Sequence, residues 1–204
     1  DPSAAGGPRA EVGTRRQAAG RTANRERQAT ARDRRGEPDR GRAQPLAALT
    51  PAFFDTSILV AGLIEIGDAS ELPQRLMAAV ANGRLRRPLT AWHCCLEFYS
   101  VATRLPEEFR LSPRDALQLL EEEILARFDV RQLPESARGP FLRTVEHERI
   151  AGGRVYDAHI AEIARLSAAK AVITDNRRHF SGLARQGIGV LSAEEFARAI
   201  HLIR

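Results

Sequence analysis

The sequence predicts an α/β fold in which a central, mostly parallel sheet carries helices on both faces. From Pro51 onward, short apolar runs typical of buried strands alternate with stretches of helical periodicity. Strands that alternate with helices favour parallel pairing, because each crossover helix returns the chain to the same edge of the sheet. Two of the apolar runs end on a carboxylate, Asp55 and Asp175, which indicates a site at the carboxyl ends of the strands.

The first fifty residues differ in composition from the rest of the chain. Residues 1–50 are rich in Ala, Gly, Arg and Pro and nearly lack large apolar side chains. Such a segment buries too little surface to offset the entropy of ordering, so we expect a disordered, Arg-rich N-terminal extension over 1–50 and one folded domain over 51–204. An Arg-rich arm attracts RNA or DNA through phosphate contacts, but an extension without a role is the simpler explanation.

The positive charge of the chain lies in this extension. Residues 1–44 contain eleven arginines and six acids, whereas the remainder contains twenty basic and twenty acidic residues. The high isoelectric point of the whole chain therefore does not mark the domain itself as a nucleic-acid binder.

Apolar runs and capping residues place the elements in the N-terminal half of the domain. Two Phe residues make 52–55 a buried strand, and the two hydroxyl residues that follow are suited to cap a helix. Thr90 is suited to cap a later helix, and Ser112-Pro113 is a helix start with Ser as the cap and Pro at the first helical position. The predicted elements are a strand over 52–55, helices over 56–65 and 72–82, a strand over 85–89, and helices over 90–103 and 112–126.

The same alternation continues in the C-terminal half. Gly139-Pro140 lies inside a helical stretch and must kink or restart it, because proline lacks the N–H that a helix interior needs. A capping box formed by Ser192 and Glu195 opens the final helix. The predicted elements are a strand over 128–132, helices over 135–149 and 156–167, strands over 171–174 and 189–191, and a helix from 192 onward.

The length of the apolar runs and the pattern of cysteines predict the cellular compartment of the protein. No apolar run approaches the ~20 residues of a membrane span, so we expect no membrane partner. No signal peptide is visible, although a chain that starts at Asp1 without Met leaves processing or truncation open. The adjacent Cys94 and Cys95 have neither a disulfide framework nor metal-ligand spacing, so we expect a cytoplasmic protein.

Four acids occupy positions that point to a site. Asp55 and Asp175 follow buried strands, and if these strands are neighbours both acids lie at one edge of the sheet. Glu97 lies in a mostly apolar helix, where an acid is costly to bury without a partner. Asp157 lies in the first turn of an apolar helix, where the helix dipole favours negative charge. Each acid also has a simpler explanation. Asp55 would cap a helix and Asp175 would begin a turn. Glu97 would pair with an arginine such as Arg104, and Asp157 would be an ordinary helix-start acid.

The chemistry of four converging acids is that of a metal site. Carboxylates brought together repel one another unless a cation lies between them. Oxygen ligands without a Cys or His cluster favour Mg²⁺ or Mn²⁺. Such ions keep several waters, bind a substrate phosphate and activate a water nucleophile. The joint pattern therefore predicts metal-dependent hydrolysis of phosphodiester bonds.

Four segments, taken in order, carry a resemblance to a known family. They read FFDTSILV at 53–60, LEF at 96–98, GRVYDAHIA at 153–161 and ITDNRRHF at 173–180. Together they resemble the PIN-domain ribonuclease family, most closely the VapC-like toxins of bacterial type II toxin–antitoxin pairs. The resemblance covers about 52–203 and implies a PIN-like three-layer α/β/α fold.

The resemblance also implies an activity, a cofactor and partners. A chain of this family is a metal-dependent endoribonuclease, in which Asp55, Glu97 and Asp157 hold one or two Mg²⁺ or Mn²⁺ ions or orient metal-bound water. Thr56 or Thr174 would support the site by hydrogen bonds. The implied partners are an RNA substrate, a cognate antitoxin protein whose segment fills the acidic groove, and a second copy of the chain in a homodimer.

The fourth acid departs from the pattern of the family. There, a threonine is often followed two residues later by the acid, and in this sequence that position is Asn176. Either Asn176 is a neutral ligand, which would weaken a second metal site, or the register slips by one and Asp175 serves. We favour Asp175 because it brings charge. Arg178, close by, either grips RNA phosphates as a planar bidentate donor or belongs to a solvated turn.

Other functions fit these residues less well. A phosphotransferase of the Asp-x-Asp type needs an acid where Ser57 stands, and a receiver domain needs a lysine after a late strand, whereas Lys170 precedes one. The main alternative is a non-catalytic PIN-like module that binds RNA or protein through a degenerate metal site, because Asn176 is neutral. Metal-dependent cleavage of RNA separates the enzyme from the module.

Overall fold

The structure is a computed structural model, and it describes residues 46–203. The expected disordered extension lies outside the described residues, apart from its last five positions. Of these, Leu46–Leu49 form a short helical turn, α1, and Leu49 is buried in the core. The packed part of the chain therefore begins slightly before the expected start at Pro51.

Five parallel strands form one sheet in the order β3-β2-β1-β4-β5. The central strand, β1, pairs with β2 on one side and with β4 on the other, so Phe53 lies beside both Leu89 and Val172. The predicted parallel α/β sheet is confirmed. The strands are β1 (Ala52–Phe54), β2 (Leu89–Ala91), β3 (Asp129–Arg131), β4 (Ala171–Ile173) and β5 (Gly189–Leu191).

Helices connect the strands and cover the sheet. Between residues 46 and 203, no helix is both long and apolar enough to cross a bilayer. Three further segments are a 3-10 turn (Asp68–Ser70), a π-helix (Leu120–Leu125) and a 3-10 helix (Arg177–Gln186). The remaining helices are α2 (Thr56–Leu63), α3 (Glu71–Ala81), α4 (Trp92–Ala102), α5 (Pro113–Leu119), α6 (Glu135–His147), α7 (Arg154–Leu166) and α8 (Ala193–Ala199).

The core lies on both faces of β1. Phe53 and Phe54 are both fully buried, and neighbours in a strand point to opposite faces of the sheet. Phe54 packs edge-to-face against Phe128 and Phe196, with ring centroids 5.5 and 6.1 Å away. Because Phe128 precedes β3 and Phe196 lies in α8, this aromatic cluster ties the edge of the sheet and the last helix to the central strand.

The second strand is displaced from its predicted position. The sequence predicts a strand over 85–89 and a helix capped by Thr90, whereas β2 is Leu89–Ala91 and α4 begins at Trp92. Arg87 has a φ of 43°, and this left-handed conformation interrupts the extended run. Thr90 is instead a fully buried residue of β2, and its hydroxyl donates a 2.9 Å hydrogen bond to the Phe54 carbonyl.

Two helical predictions also change. The helix predicted over 112–126 starts as expected, because Ser112 accepts the Asp115 N–H at 3.2 Å, but its second half is π-helical. Of the predicted kink or restart at Gly139-Pro140, the restart does not occur, since α6 runs through Pro140. Pro140 and Ser136 are both exposed, so solvent can bond the Ser136 carbonyl that lacks a helical partner.

The final helix begins as predicted. The Ser192 hydroxyl accepts the Glu195 N–H at 3.2 Å, and the Glu195 carboxylate accepts the Ser192 N–H at 2.9 Å. This reciprocal pair is the predicted capping box. The other predicted elements agree with the structure to within one or two residues at each end, which is the usual uncertainty of element boundaries.

We expect Thr90→Val to lower the free energy of unfolding by about 1–3 kcal/mol, measured from urea unfolding midpoints. Valine keeps the volume of the side chain but removes the hydroxyl that the buried Phe54 carbonyl accepts. The matched control is Thr103→Val, because the Tyr99 carbonyl bonded by the Thr103 hydroxyl also accepts the Thr103 N–H. The control should change stability by less than about 0.5 kcal/mol, and equal losses would contradict this account.

Candidate active site

The site lies where β1 and β4 end side by side. The register pairs Phe54 with Ile173, and the Asp55 N–H donates to the Ile173 carbonyl at 3.1 Å. The next residues of the two strands, Asp55 and Thr174, therefore meet at the carboxyl edge of the sheet. Since β1 is the strand from which the order runs in both directions, this is the switch point at which open α/β sheets bind ligands.

The carboxylate of Asp55 is the buried centre of this edge. Asp55 is only 5% exposed, and its Oδ2 accepts the hydroxyls of Thr174 at 2.8 Å and Ser57 at 3.0 Å. Asp55 does precede α2, but its side chain makes no capping hydrogen bond there. The helix-cap explanation therefore does not account for the side chain.

Burial dominates the electrostatics of Asp55. Loss of hydration raises the pKa of the Asp55 carboxyl, and the negative charge of Glu97 raises it further. The hydroxyl hydrogen bonds from Thr174 and Ser57 oppose this shift because they stabilise the charged form. The charged form of Asp55 is therefore unfavourable in this setting unless a positive charge lies close to it.

Glu97 is held next to Asp55 by a threonine. The buried Thr56 hydroxyl donates a 2.6 Å hydrogen bond to Glu97 Oε2, and Thr56 directly follows Asp55. Within the part of the chain that the structure describes, Arg104 forms no ion pair with Glu97, so that simpler explanation is not supported.

Three of the four acids of the predicted site line one cavity. Its volume is about 360 Å³, and no Lys or Arg is found among the described residues that surround it. We call it the acidic cavity. Asp55 reaches it from the end of β1, Glu97 from α4 and Asp157 from α7, so three elements distant in sequence meet there. Its polar lining is Asp55, Thr56, Ser57, Ser70, Glu97, Asp157 and Asn176.

Asp157 has a partner that the sequence did not reveal. His179 Nδ1 lies 3.0 Å from Asp157 Oδ2, and the Arg178 Nε–H donates to His179 Nε2 at 3.3 Å. Nδ1 of His179 can donate to the Asp157 carboxylate while Nε2 accepts from Arg178. The chain from Arg178 through His179 fixes the orientation of the Asp157 carboxylate. His179 follows Asn176 closely in the sequence, but this spacing does not indicate that His179 contacts Asp157.

The structure brings Asn176, not Asp175, to the acidic cavity. Asp175 is exposed and its backbone N–H donates to the Ser57 hydroxyl at 3.2 Å, whereas Asn176 lines the cavity. The chain bends at Asp175 after β4, and the Asn176 N–H donates to the Thr174 hydroxyl at 3.0 Å, which keeps Asn176 beside the site. The preference for Asp175, which rested on charge, has no support in this geometry.

The neighbouring thiols and imidazole are structural. Cys94 and Cys95 are free and buried, and burial raises the pKa of their thiols to about 12 and about 11. His159 packs between His93 and Phe141, with ring centroids 5.6 and 5.5 Å away. Burial lowers the pKa of His159, and the neighbouring His93 lowers it further. None of the three lines the acidic cavity as far as the structure describes it.

A hydrated cation fits these acids better than a bare one. Within residues 46–203, no three His, Cys, Asp or Glu side chains form a ready-made metal cluster. Mg²⁺, however, usually keeps several waters and is bound through one or two carboxylates. The buried Asp55, bonded by neutral hydroxyl donors and next to Glu97, meets that requirement.

Comparison with known proteins identifies the family. The family model of the PIN domain matches residues 51–178, which is more than half of the chain. The chain belongs to the PIN domain family. Ribonuclease VapC27 of Mycobacterium tuberculosis is 35% identical to it over 128 residues, which are 62% of this chain and 86% of that protein. The predicted family is therefore confirmed.

Solved structures resemble this PIN domain at a distance. VapBC-1 from nontypeable Haemophilus influenzae matches 70% of this chain and 98% of its own at 17% identity, with a TM-score of 0.49. FitAcB from Neisseria gonorrhoeae matches the same shares at 17% identity, with a TM-score of 0.46.

We expect Asp55→Asn to raise the thermal unfolding midpoint of the metal-free protein at neutral pH. The pKa of Asp55 is raised above 3.8 in the folded state, so the unfolded chain releases this proton first as pH rises. The carboxylate therefore costs no stability below the unfolded pKa. As the pH rises from the pKa of the unfolded chain to that of the folded protein, the loss of stability grows, and above the folded pKa it is constant. Asparagine is neutral and so removes this loss.

Calorimetry in EDTA from about pH 3 to pH 8 measures this difference, with the exposed Glu121→Gln as the control. The Asp55→Asn curve should join the wild-type curve in acid and lie above it at neutral pH. A stabilisation that is larger in acid than at neutral pH would contradict the burial argument.

Proposed function

We propose that this PIN domain is a metal-dependent endoribonuclease that hydrolyses RNA phosphodiester bonds, and that it is the toxin of a toxin–antitoxin pair. The observation that carries the proposal is the buried Asp55 carboxylate in a cavity that Glu97 and Asp157 also line. The substrate class is supported by the 35% identical relative, which is named a ribonuclease. Which RNA is cut depends on contacts outside this cavity.

The proposed cofactor is one Mg²⁺ or Mn²⁺ ion. Hard oxygen donors prefer these cations, and Asp55 and Glu97 are the residues that would hold it. When bound, such an ion neutralises charge on a phosphate and lowers the pKa of a bound water. The neutral Asn176 in the fourth position favours one strong metal site over two.

The residues around the acids keep them in place for this task. Thr174 and Ser57 hold the Asp55 carboxylate through its Oδ2, and Thr56 holds Glu97 through its Oε2. His179 holds Asp157 through its Nδ1, which lies 3.0 Å from Asp157 Oδ2. Partners of this kind orient ligating carboxylates, and losing one typically costs about 10–100-fold in metal affinity or activity.

Protein partners form a further part of the proposal. Trp92, Leu96 and Tyr156 are 43, 53 and 60% exposed, although all three are large and apolar in part. Trp92 and Leu96 lie one turn apart on α4, and Tyr156 stacks on His93 of the same helix. Exposed apolar surface of this kind supports a protein interface, for which an antitoxin and a second copy of the chain are the proposed partners. The free thiols support the cytoplasm as the compartment.

A second candidate function is a non-catalytic module that binds RNA or protein. The neutral Asn176, and the lack of a ready-made cluster of three acids within the described chain, favour this alternative. A module retains binding without cleavage, so the presence or absence of metal-dependent cuts separates the two functions.

Purified protein should cut a total-RNA pool at discrete positions with Mn²⁺ and not with EDTA, as read by sequencing of the new ends. Asp55→Asn should lower the cleavage rate by more than about 100-fold, because loss of metal support costs several kcal/mol. The matched control is Asp175→Asn, which should stay within about 3-fold of wild type because this carboxylate does not line the acidic cavity. A folded wild type that neither binds Mn²⁺ nor cuts RNA would leave only the module.

Asn176→Asp should tighten Mn²⁺ binding roughly tenfold in isothermal titration calorimetry, because a fourth carboxylate adds ligand charge at the acidic cavity. Asn82→Asp is the matched control, since Asn82 is exposed and lies outside the described lining of the cavity. Unchanged affinity in both variants would place residue 176 outside the metal site.

A further inference from the structure

A second, larger groove adjoins the acidic cavity. It has a volume of about 740 Å³ and is lined by residues of α6, α7 and the 3-10 helix Arg177–Gln186. We propose that this arginine groove binds the sugar-phosphate backbone of a single RNA strand and leads it to the acids. The inference rests on the proposed function and adds the path that the substrate takes.

The two cavities adjoin at a shared residue. Asp157 lines both of them, and its partner His179 lines the arginine groove. Arg178 also lines the groove and donates to His179. A strand whose phosphate lies over the acids can therefore continue into the groove along the Asp157 carboxylate without leaving the protein surface.

The guanidinium groups of the groove are mostly available. Arg165 is neutralised by Glu162 through two hydrogen bonds of 2.7 Å. Arg154 and Arg185, in contrast, form no ion pair or side-chain hydrogen bond within residues 46–203. With Arg178 they make three arginines against the two remaining acids of the lining, Glu148 and Asp157.

This excess of positive charge favours a phosphate backbone as the occupant. Arginine binds phosphate oxygens as a planar, bidentate donor and keeps its charge at every physiological pH. An acidic peptide would also meet the arginines, but its carboxylates would be repelled where Asp157 lines the groove. The next phosphate of a nucleic-acid strand can instead lie over the metal that the proposed function places on Asp55 and Glu97, so the observations favour RNA.

The apolar part of the lining suits a single strand. Phe141 is half-buried, lines the groove and packs against His159, and Val145 and Ile150 lie beside it in the lining. Sites for single-stranded nucleic acid combine a basic groove that follows the backbone with aromatic or apolar surface for the bases. The arginine groove has both features.

The test measures binding of a fluorescein-labelled 12-nucleotide oligouridine by fluorescence anisotropy in EDTA, over a series of KCl concentrations. The variant is Arg154→Gln combined with Arg185→Gln. Loss of two phosphate contacts should weaken binding about tenfold and lower the slope of log affinity against log salt by about 1.4. The control, Arg104→Gln combined with Arg114→Gln, has the same net charge but changes exposed residues outside both described linings. Thermal unfolding checks that both variants fold.

The outcomes separate this inference from the proposed function. If the groove variant binds like the control while wild type cuts RNA with Mn²⁺, the arginine groove is not the RNA path and remains free for a protein partner. If the groove variant binds RNA more weakly than the control but wild type never cuts RNA, the arginine groove is supported as the RNA-binding site. The non-catalytic module is then the function, in place of the ribonuclease. If wild type binds no RNA at all, the groove inference fails.

Discussion

The buried hydrogen bond from the Thr174 hydroxyl to the Asp55 carboxylate, 2.8 Å long, is the contact around which the site is built. It exists because β1 and β4 are parallel neighbours and because their register pairs Phe54 with Ile173. A slip of β4 by one residue would send the Thr174 side chain to the opposite face of the sheet, away from Asp55. Thr56 follows Asp55 directly as the first residue of α2, and it reaches Glu97 from the same edge.

Burial gives the site its chemical character. A carboxylate out of water is costly, and the hydroxyls on Asp55 offset only part of that cost because they are neutral. The cation that we propose for this site would offset the rest of that cost. The positive side chains lie in the adjoining arginine groove, which meets the acids at Asp157. In the proposed function, the acids that would hold a metal and the arginines that would bind phosphates lie in separate cavities within reach of one nucleic-acid strand.

Local patterns account for the elements that sequence alone predicted well. Strand β1 is an apolar run that ends on a carboxylate, and Ser192 with Glu195 forms a capping box whose bonds span only three residues. The second strand was misplaced because the left-handed turn at Arg87 has no signature in composition. Similarly, nothing in the spacing of Pro140 shows that its missing helical bond falls on an exposed face, where solvent replaces it.

The sequence by itself determined the α/β class and the family, and it predicted the three acids, Asp55, Glu97 and Asp157, since periodicity and strand-end carboxylates are properties of short segments. Only the tertiary structure shows that Asn176, and not Asp175, lines the acidic cavity, because the direction of a side chain after β4 depends on how the chain leaves that strand. It alone also joined His179 to Asp157 and assembled the arginine groove. The side chains in these contacts are far apart in sequence, or their direction depends on how the chain turns after a strand. Tertiary packing brings such groups together, and local sequence patterns do not record it.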